Sequence, residues 1–233
     1  MEDVLGQAVY DHFKKDFTGK LWIYNKYGPR EEMPANVYFR NEDNMPDIEW
    51  LAIERCNGKV LDIGAGAGSH ALLLQQRSLE VTALDISPLL AEVMHNRGVK
   101  NVVLADIFEY NNSRFDTILL LMNGIGLAGT LVRLKQLLLH FKNLLNPDGQ
   151  ILFDSSDVAY LYNSDLPADH YYGEIAYQYA YKGVRSEWFK WLYVDEKTMT
   201  GIASDCGFDM EVLLEDEFGQ YLARLTPKAG SIT

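Results

Sequence analysis

The strongest constraint in this sequence is a regular alternation of short apolar strands and helices between residues 59 and 154. The predicted strands cover residues 59–63, 80–85, 101–104, 115–122 and 150–154, and the predicted helices cover 69–77, 88–97 and 130–145. Strands and helices that alternate at this spacing are typical of a parallel, doubly wound sheet. The very apolar run at 115–122 suits a central strand that is covered on both faces. We therefore expect an α/β fold.

The residues on either side of this core predict a small cap and a terminal hairpin. An aromatic-rich stretch contains two plausible antiparallel strands, at 174–180 and 186–193, and the chain ends with a helix and a hairpin. With that hairpin, the core becomes a seven-stranded, mostly parallel sheet with a terminal antiparallel pair. The predicted divisions are an N-terminal cap segment (1–57), the core (58–154), an aromatic-rich insert (155–195), a C-terminal helix and hairpin (196–227) and a tail (228–233).

Composition excludes several classes of partner. The 33 acidic and 21 basic residues give a net charge of −12, which disfavours binding to nucleic acids and to anionic membrane surfaces. No run approaches about 18 consecutive apolar residues, and the first ten residues lack the pattern of an export signal. A cytoplasmic location without a membrane partner is therefore expected. The two cysteines, Cys56 and Cys206, form neither a disulfide framework nor a metal-binding motif.

A glycine-rich loop, with glycines at 64, 66 and 68, joins the first predicted core strand to its helix. Such a loop lets a ligand contact the backbone at the carboxyl end of the sheet. The dinucleotide pattern G-x-G-x-x-G requires its third glycine at position 69, where this chain has Ser69. The carboxylate of Asp62 would also lie close to a pyrophosphate held at the helix N-terminus, and it suits a ligand with a cationic amine better. An NAD-dependent oxidoreductase remains an alternative.

Residues 60–68 resemble motif I of the class I S-adenosylmethionine (SAM)-dependent methyltransferases. Asp85 ends the second strand and Asp106 follows the third, as do acidic residues of that family. Residues 144–152 resemble the family's "LLxPGG" turn, with Asp148 where glycine is commoner. The resemblance implies SAM as cofactor, S-adenosylhomocysteine (SAH) as product and no metal. No third ligand accompanies Asp154 and Asp157 in the manner of a catechol-type metal site.

The resemblance also implies which residues contact the cofactor. Asp85 would accept both ribose hydroxyls, although it could also cap the helix that begins after Ser87. Asp106 would lie near the adenine amino group, or act only as a local cap. Arg40 would pair with the methionine carboxylate, or face solvent. The implied cofactor-binding set is Arg40, Asp62, Gly64, Ala65, Gly66, Gly68, Asp85, Ile86, Asp106, Ile107, Met122 and Asn123.

Within that set, three residues have an equally simple structural role. Ile86 and Ile107 would sandwich the adenine ring, or belong to the core. Asn123 would accept from the methionine amine or orient a substrate, or it would only adopt a left-handed turn. The aromatic side chains between residues 160 and 193 would form a lid over the site, or pack as core.

The expected activity is in-line SN2 transfer of a methyl group to a small-molecule acceptor, by O- or N-methylation. A general base is needed only if the nucleophile carries a proton. The catalytic candidates are Asn123, Asp154, His170, Tyr171, Tyr172 and Glu174, among which the sequence does not choose. Residues 155–233 hold 13 acidic and 6 basic side chains, so we hypothesise a neutral or cationic acceptor, such as an amine, among aromatic rings. A non-catalytic SAM-binding protein is a further alternative, and the chain is expected to be a monomer or homodimer.

Overall fold

The computed structural model describes residues 2–16, 19–162 and 165–230, which form two β-sheets with helices packed around them. The strands are β1 (Trp22–Tyr24), β2 (Glu31–Glu32), β3 (Lys59–Ile63), β4 (Glu80–Asp85), β5 (Val102–Leu104), β6 (Phe115–Leu120), β7 (Leu145–Ser156), β8 (Glu174–Tyr181), β9 (Val184–Arg185), β10 (Phe189–Leu192), β11 (Phe208–Glu215) and β12 (Gln220–Pro227). The α-helices are α1 (Val4–Phe13), α2 (Asp47–Arg55), α3 (Ser69–Gln76), α4 (Pro88–Arg97), α5 (Leu131–Leu144) and α6 (Glu196–Asp205). Four short 3-10 turns cover Ala35–Phe39, Glu42–Asn44, Gly124–Ala128 and Ala159–Tyr162.

The larger sheet, which we call the core sheet, has the strand order β11-β12-β7-β6-β3-β4-β5. Its inner pairs are parallel, whereas β12 pairs antiparallel with both β7 and β11. This confirms the predicted seven-stranded, mostly parallel sheet with a terminal antiparallel hairpin. Strand order reverses between β3 and β6, and ligands of such sheets bind at the carboxyl ends beside that reversal.

Apolar side chains on both faces of the central strands hold the helices to the core sheet. Leu61, Ile118 and Phe153 pack in a cluster with α5 and α6, and Val60 and Leu119 pack in a second cluster with α2, α3 and α4. All five are fully buried. This two-sided burial explains why the central strands read as continuous apolar runs.

The smaller sheet, which we call the cap sheet, joins two segments that lie far apart in sequence. Its order is β10-β8-β1-β2, with β9 paired to β8, and all of its pairs are antiparallel. In the register of β1 against β8, Trp22 pairs with Ala180 and Ile23 pairs with Tyr179. The N-terminal segment and the aromatic-rich insert therefore build one cap together.

Helix α1 ties the N-terminal segment to both sheets. Tyr10 Oη donates to Glu92 Oε1 of α4 at 2.9 Å, and Asp11 accepts from Lys182 Nζ, after β8, at 2.6 Å. The predicted tail begins at Lys228, whose backbone N–H donates to Gly207 O at 2.9 Å, and its last residues, 231–233, lie outside the described residues. Across the described ranges, every helix is too short or too polar to cross a membrane.

Candidate functional site

A cavity of about 760 Å³ lies between the carboxyl ends of the core strands and the cap sheet. This volume is in the range of small-ligand pockets. One side, which we call the loop wall, is formed by residues 62–67 and by the ends of β4 and β5. The opposite side, which we call the aromatic wall, consists of the cap-sheet side chains Tyr177, Tyr179, Phe189, Trp191 and Tyr193.

Two glycines of the loop wall present bare backbone to the cavity. Gly64 has φ +67°, and a Cβ placed on it would meet no described atom within 4 Å. Gly66 has φ +57°, and its Cβ would lie 3.1 Å from the Tyr38 ring. Both conformations favour glycine. The space that a side chain would occupy is open to a ligand at Gly64, whereas the Tyr38 ring borders it closely at Gly66.

The third glycine of the loop, Gly68, lies away from the cavity. It precedes α3 with φ +80°, and a Cβ on it would lie 2.7 Å from Val99 Cγ2 and 3.0 Å from Met94 Cγ. This glycine therefore allows α3 to approach α4 closely. Gly68 does not line the cavity, so its predicted contact with the cofactor has no support from the structure.

Asp85 holds the loop to the end of β4 and also lines the cavity. Its Oδ2 accepts from Gly66 N at 3.0 Å, and its Oδ1 accepts from Ser87 N at 2.9 Å. Burial raises the pKa of Asp85 to about 6, and the charge of Asp3 acts in the same direction. The N-cap of α4 is Ser87, whose Oγ accepts from Leu90 N at 3.0 Å, so Asp85 orients the loop and Ser87 but does not itself cap the helix.

Asp62 is a buried carboxylate with one unsatisfied oxygen. The residue is 1% exposed, it lines the cavity, and its Oδ2 has no hydrogen-bond partner among the described residues. Burial raises the pKa of Asp62 to about 6, although the nearby charge of His70 opposes the shift. A buried, unpaired carboxylate oxygen is costly, so this atom suits a cationic or hydrogen-bond-donating ligand group.

We expect Asp62→Asn to make the unliganded protein more stable at pH 7.5, by roughly 1–2 kcal/mol. Because the pKa of Asp62 is raised in the folded state, its favourable contribution is complete below the ordinary pKa of 3.8 and is lost as the pH rises through about 6. Chemical denaturation between pH 4 and 8 measures this, and the variant should lose less stability across the interval. The exposed Asp209→Asn on β11 is the matched control, and a less stable Asp62→Asn at pH 7.5 would contradict the expectation.

Arg40, Glu49 and His70 form a charged cluster at one end of the cavity, which all three line. Glu49 Oε1 accepts from Arg40 Nη1, and Glu49 Oε2 accepts from His70 Nε2 at 2.9 Å. Burial alone would lower the pKa of His70, but the hydrogen bond to Glu49 and the charge of Asp62 raise it overall. Of these three residues the sequence proposed only Arg40 for the site, and its guanidinium is held by Glu49.

The remaining cofactor candidates of the loop side also reach the cavity. Ala65, Ile86, Asp106, Ile107 and Met122 all line it. Ile86 is 69% exposed, so it is not a core residue, whereas Ile107 is buried. Asp106 Oδ1 accepts from Phe108 N at 3.0 Å, so Asp106 makes the local capping contact and also lines the cavity.

Asn123 and Asp154 lie behind the cavity and do not line it. Asn123 adopts a left-handed conformation with φ +55°, and its backbone N–H is 2.9 Å from both carboxylate oxygens of Asp154. Its side-chain Nδ2 donates to Leu192 O at 3.2 Å, and its Oδ1 accepts from Ser155 Oγ at 3.1 Å. Both residues therefore fasten the end of β6 to β7 and β10.

The four catalytic candidates of the insert also lie outside the cavity lining. Their side chains are engaged elsewhere: His170 with Asp169, Tyr171 and Tyr172 with Asp195, Tyr172 also with Asp157, and Glu174 with Leu131 N and Lys190 Nζ. His170, Tyr171 and Tyr172 precede β8, and Tyr171 packs against the core cluster that includes α5 and α6. None of the six predicted catalytic residues is brought to the cavity.

The side chains of the aromatic wall belong to the stretch that the sequence offered as a lid or as core, but none of them was named individually as a site residue. Tyr177 and Tyr179 alternate on β8, and Phe189, Trp191 and Tyr193 alternate on and just after β10. Alternation at period two puts such residues on one face of a strand, and this was the available signal. Tyr177 Oη donates to Tyr193 Oη at 3.3 Å. Trp191 Nε1 donates to Asn123 O at 3.1 Å and so attaches the wall to the core.

A family model described as "Methyltransferase domain" matches residues 37–212. The chain belongs to this family. The solved structure of a SAM-dependent methyltransferase from Bacteroides fragilis, in complex with SAH, is 40% identical in sequence. That alignment covers 97% of this chain and 95% of the other, with a TM-score of 0.89. The methyltransferase therefore uses SAM as its methyl donor, and the oxidoreductase alternative is set aside.

More distant methyltransferases share the fold alone. CcbJ from Streptomyces caelestis is 13% identical over 80% of this chain and 94% of its own, with a TM-score of 0.63. The sugar N-methyltransferase KedS8 from Streptoalloteichus is 15% identical over 88% of this chain and 97% of its own, with a TM-score of 0.59. No protein with a curated description matches the methyltransferase significantly by sequence. Across the described ranges, no three His, Cys, Asp or Glu side chains converge as a metal site would require.

Proposed function

We propose that this methyltransferase transfers the methyl group of SAM to a small-molecule acceptor, on oxygen or nitrogen, by in-line displacement. The observation that carries the proposal is the enclosure of the cavity: the cap sheet covers the carboxyl ends of the core strands and leaves about 760 Å³ between the two walls. A pocket of this size and enclosure suits a metabolite better than a folded macromolecule. The parts of the chain would divide these tasks: 58–154 would bind SAM, 196–227 would complete the core sheet, and 1–57 and 155–195 would form the cap over the acceptor, with Arg40 of the N-terminal segment also reaching SAM.

The loop wall fits the chemical groups of SAM. The cradle at Gly64, Ala65 and Gly66 would receive the adenosyl part, and Asp85, whose carboxylate already orients this loop, would accept from the ribose hydroxyls. The unpaired Oδ2 of Asp62 would accept from the amino group.

With SAM placed along the loop wall in this way, the other predicted cofactor residues that line the cavity would also contact it. Ile86 and Ile107 would contact the adenine ring, and Asp106 would accept from its amino group. Met122 would line the space between the loop wall and the aromatic wall. Arg40 would pair with the carboxylate of the methionine part.

The protein mainly has to position the reactants. When bound, SAM supplies a methyl group that is already activated on a sulfonium sulfur, so alignment and proximity account for most of the catalysis required. The aromatic wall would exclude water and set the acceptor's direction of approach. Trp191 fixes that wall against the end of β6 through its hydrogen bond to Asn123 O.

Incubation of a cell extract with methyl-labelled SAM tests the proposal. After separation by size, we expect the label that the enzyme adds to appear in the small-molecule fraction. The heat-inactivated enzyme gives the background. Label recovered in protein or RNA, with none in small molecules, would contradict a small-molecule acceptor.

We expect Glu49→Gln to weaken SAH binding about tenfold. The two carboxylate oxygens of Glu49 contact Arg40 and His70, whereas an amide has only one accepting oxygen, so one of the two contacts is lost. Binding of 5′-methylthioadenosine, which lacks the amino-acid part, should be unchanged. Calorimetry with both ligands measures the difference. The exposed Glu54→Gln on the same helix is the matched control, and an equal loss for both ligands would place the defect outside the amino-acid end.

A further inference from the structure

Building on the proposed function, we propose that the methyl acceptor is an amine whose nitrogen reaches the site with its lone pair free, so that transfer needs no general base. The proposal rests on which side chains face the acceptor. Among the described residues, those that line the cavity from the cap-sheet strand β8 and from β10 and its C-terminal end are Tyr177, Tyr179, Phe189, Lys190, Trp191 and Tyr193. This set contains no carboxylate and no imidazole.

The cavity's acidic groups belong to the opposite side. Asp62 and Asp85 lie at the ends of β3 and β4 and Asp106 follows β5, where the proposed function assigns all three to SAM. Glu49 is bound by Arg40 and His70, and Asp3 accepts from Gly6 N at 2.9 Å and from Ser87 Oγ. Each of these groups serves the loop wall or the N-terminal segment, so none stands opposite the methyl donor as a base.

The tyrosines of the aromatic wall are poor bases. Burial raises the pKa of Tyr177, Tyr179 and Tyr193 above the ordinary phenol value, so all three remain neutral near pH 7. An alcohol acceptor must lose a proton as its oxygen attacks, and efficient transfer of that proton requires a positioned base. An unprotonated amine has no such requirement.

The aromatic wall also suits the charge that appears on nitrogen. The nitrogen lone pair forms the new N–C bond while the C–S bond breaks, its electron pair stays on sulfur, and the positive charge passes from sulfur to nitrogen. Aromatic faces stabilise a cation, and the neighbouring hydroxyls of Tyr177 and Tyr193 can accept from the N–H groups. The extra proton on nitrogen is lost to water afterwards.

An anionic acceptor such as a carboxylate would also need no base, but the cations that line the cavity are engaged. Lys190 Nζ donates to Glu174 Oε2 at 2.9 Å. Arg133 is exposed at the rim, and its guanidinium carbon lies 4.3 Å from the centre of the Phe108 ring. The interior of the aromatic wall therefore offers ring faces and neutral hydroxyls to an acceptor.

The test is to identify the atom that receives the methyl group. The enzyme is incubated with ¹³C-methyl SAM and the small-molecule fraction of a cell extract, and the carbon chemical shift and couplings of the product show which atom the methyl group is bonded to. We expect an N-methyl product that cation exchange retains. An O-methyl or S-methyl product would overturn the inference while leaving the proposed function intact, and no small-molecule product at all would overturn the proposed function itself.

A second measurement asks whether Tyr193 acts as a base. Burial is the main cause that raises the pKa of Tyr193. The nearby Tyr160, Glu31 and Asp154 act in the same direction, and the hydrogen bond from Tyr177 opposes them. With the purified acceptor, we expect Tyr193→Phe to lower kcat/KM roughly tenfold through a lost hydrogen bond, and to leave the midpoint of the pH profile at the acceptor's own pKa. A shifted midpoint or a loss of more than about a hundredfold would show that Tyr193 removes a proton, contrary to the inference.

The control for that variant is Tyr10→Phe. The Tyr10 hydroxyl contacts Glu92 on α4, outside the cavity lining, so its removal should leave both kcat/KM and the pH profile unchanged. Thermal unfolding of both variants confirms that each retains its fold.

Discussion

Replacing Asp85 with alanine is expected to weaken SAM binding about a hundredfold or more. In the proposed site this carboxylate accepts from two ribose hydroxyls, and hydrogen bonds to a charged group contribute about 1.5–3 kcal/mol each. The substitution also removes the acceptor of Gly66 N and Ser87 N, so the loop that cradles the ligand loses its attachment to β4. Isothermal titration calorimetry with SAM and SAH measures the effect.

The matched control for Asp85→Ala is Asp209→Ala, an exposed aspartate on β11 outside the cavity lining. It should bind SAM as the wild type does. Asp85→Asn separates the two roles of the carboxylate, because an amide oxygen still accepts from the loop while the charge is lost. Unchanged SAM affinity in Asp85→Ala would contradict the assignment of this residue to the ribose.

Gly64→Leu is the second substitution with a large expected effect, and we expect it to abolish detectable SAM binding and methyl transfer. A Cβ on Gly64 meets no described atom within 4 Å, so the new side chain would extend into the cavity without disturbing its neighbours. The positive φ of +67° adds a folding cost of about 1–2 kcal/mol. Calorimetry and the methyl-transfer assay measure function, and thermal unfolding measures the cost to stability.

Gly219→Leu is the matched control for that steric effect. Gly219 has φ +76° and lies in the β11–β12 turn, and a Cβ placed on it would also meet no described atom within 4 Å, but it does not line the cavity. It should carry a similar folding cost and retain SAM binding. If both variants lost binding equally, backbone strain would be the cause and the cavity at Gly64 would not be the adenosyl site.

The core fold could be predicted because its signals are local. Each strand of the core sheet and each helix beside it has its own apolar pattern, and the N-cap at Ser87 and the C-terminal Gly98 of α4 mark both ends of one helix. The motif that carries the cofactor side is contiguous as well, since residues 62–68 run from strand to loop to helix. Local patterns of this kind need no knowledge of distant contacts.

The join between β6 and β7 shows a limit of the same reasoning. The resemblance of residues 144–152 to the "LLxPGG" turn and the predicted strand at 150–154 put a turn at residues 146–149, before that strand. In the structure, Phe115 pairs with Leu145 and Thr117 with Gln150, so these four residues form an irregularity inside β7 opposite Asp116. Asn146 Nδ2 donates to Asp116 Oδ1 at 2.7 Å and stabilises it, a contact between side chains 30 residues apart.

The acceptor side could not be predicted for a related reason. The cap sheet pairs Ile23 with Tyr179, and no local pattern reveals that these two strands meet. The six catalytic candidates were chosen for their residue type and their position: Asn123 after β6, Asp154 near the end of β7, and the other four in the insert. The structure instead turns the alternating aromatics of β8 and β10 toward the cavity, which only the strand pairing decides.

A crystal structure of the protein with SAH bound would test the arrangement of donor and acceptor most directly. We expect the adenosyl part against Gly64 and Gly66, the ribose hydroxyls on Asp85, and the sulfur facing Tyr177 and Tyr193 of the aromatic wall. SAH bound elsewhere, or with its sulfur turned away from the aromatic wall, would contradict the proposed arrangement.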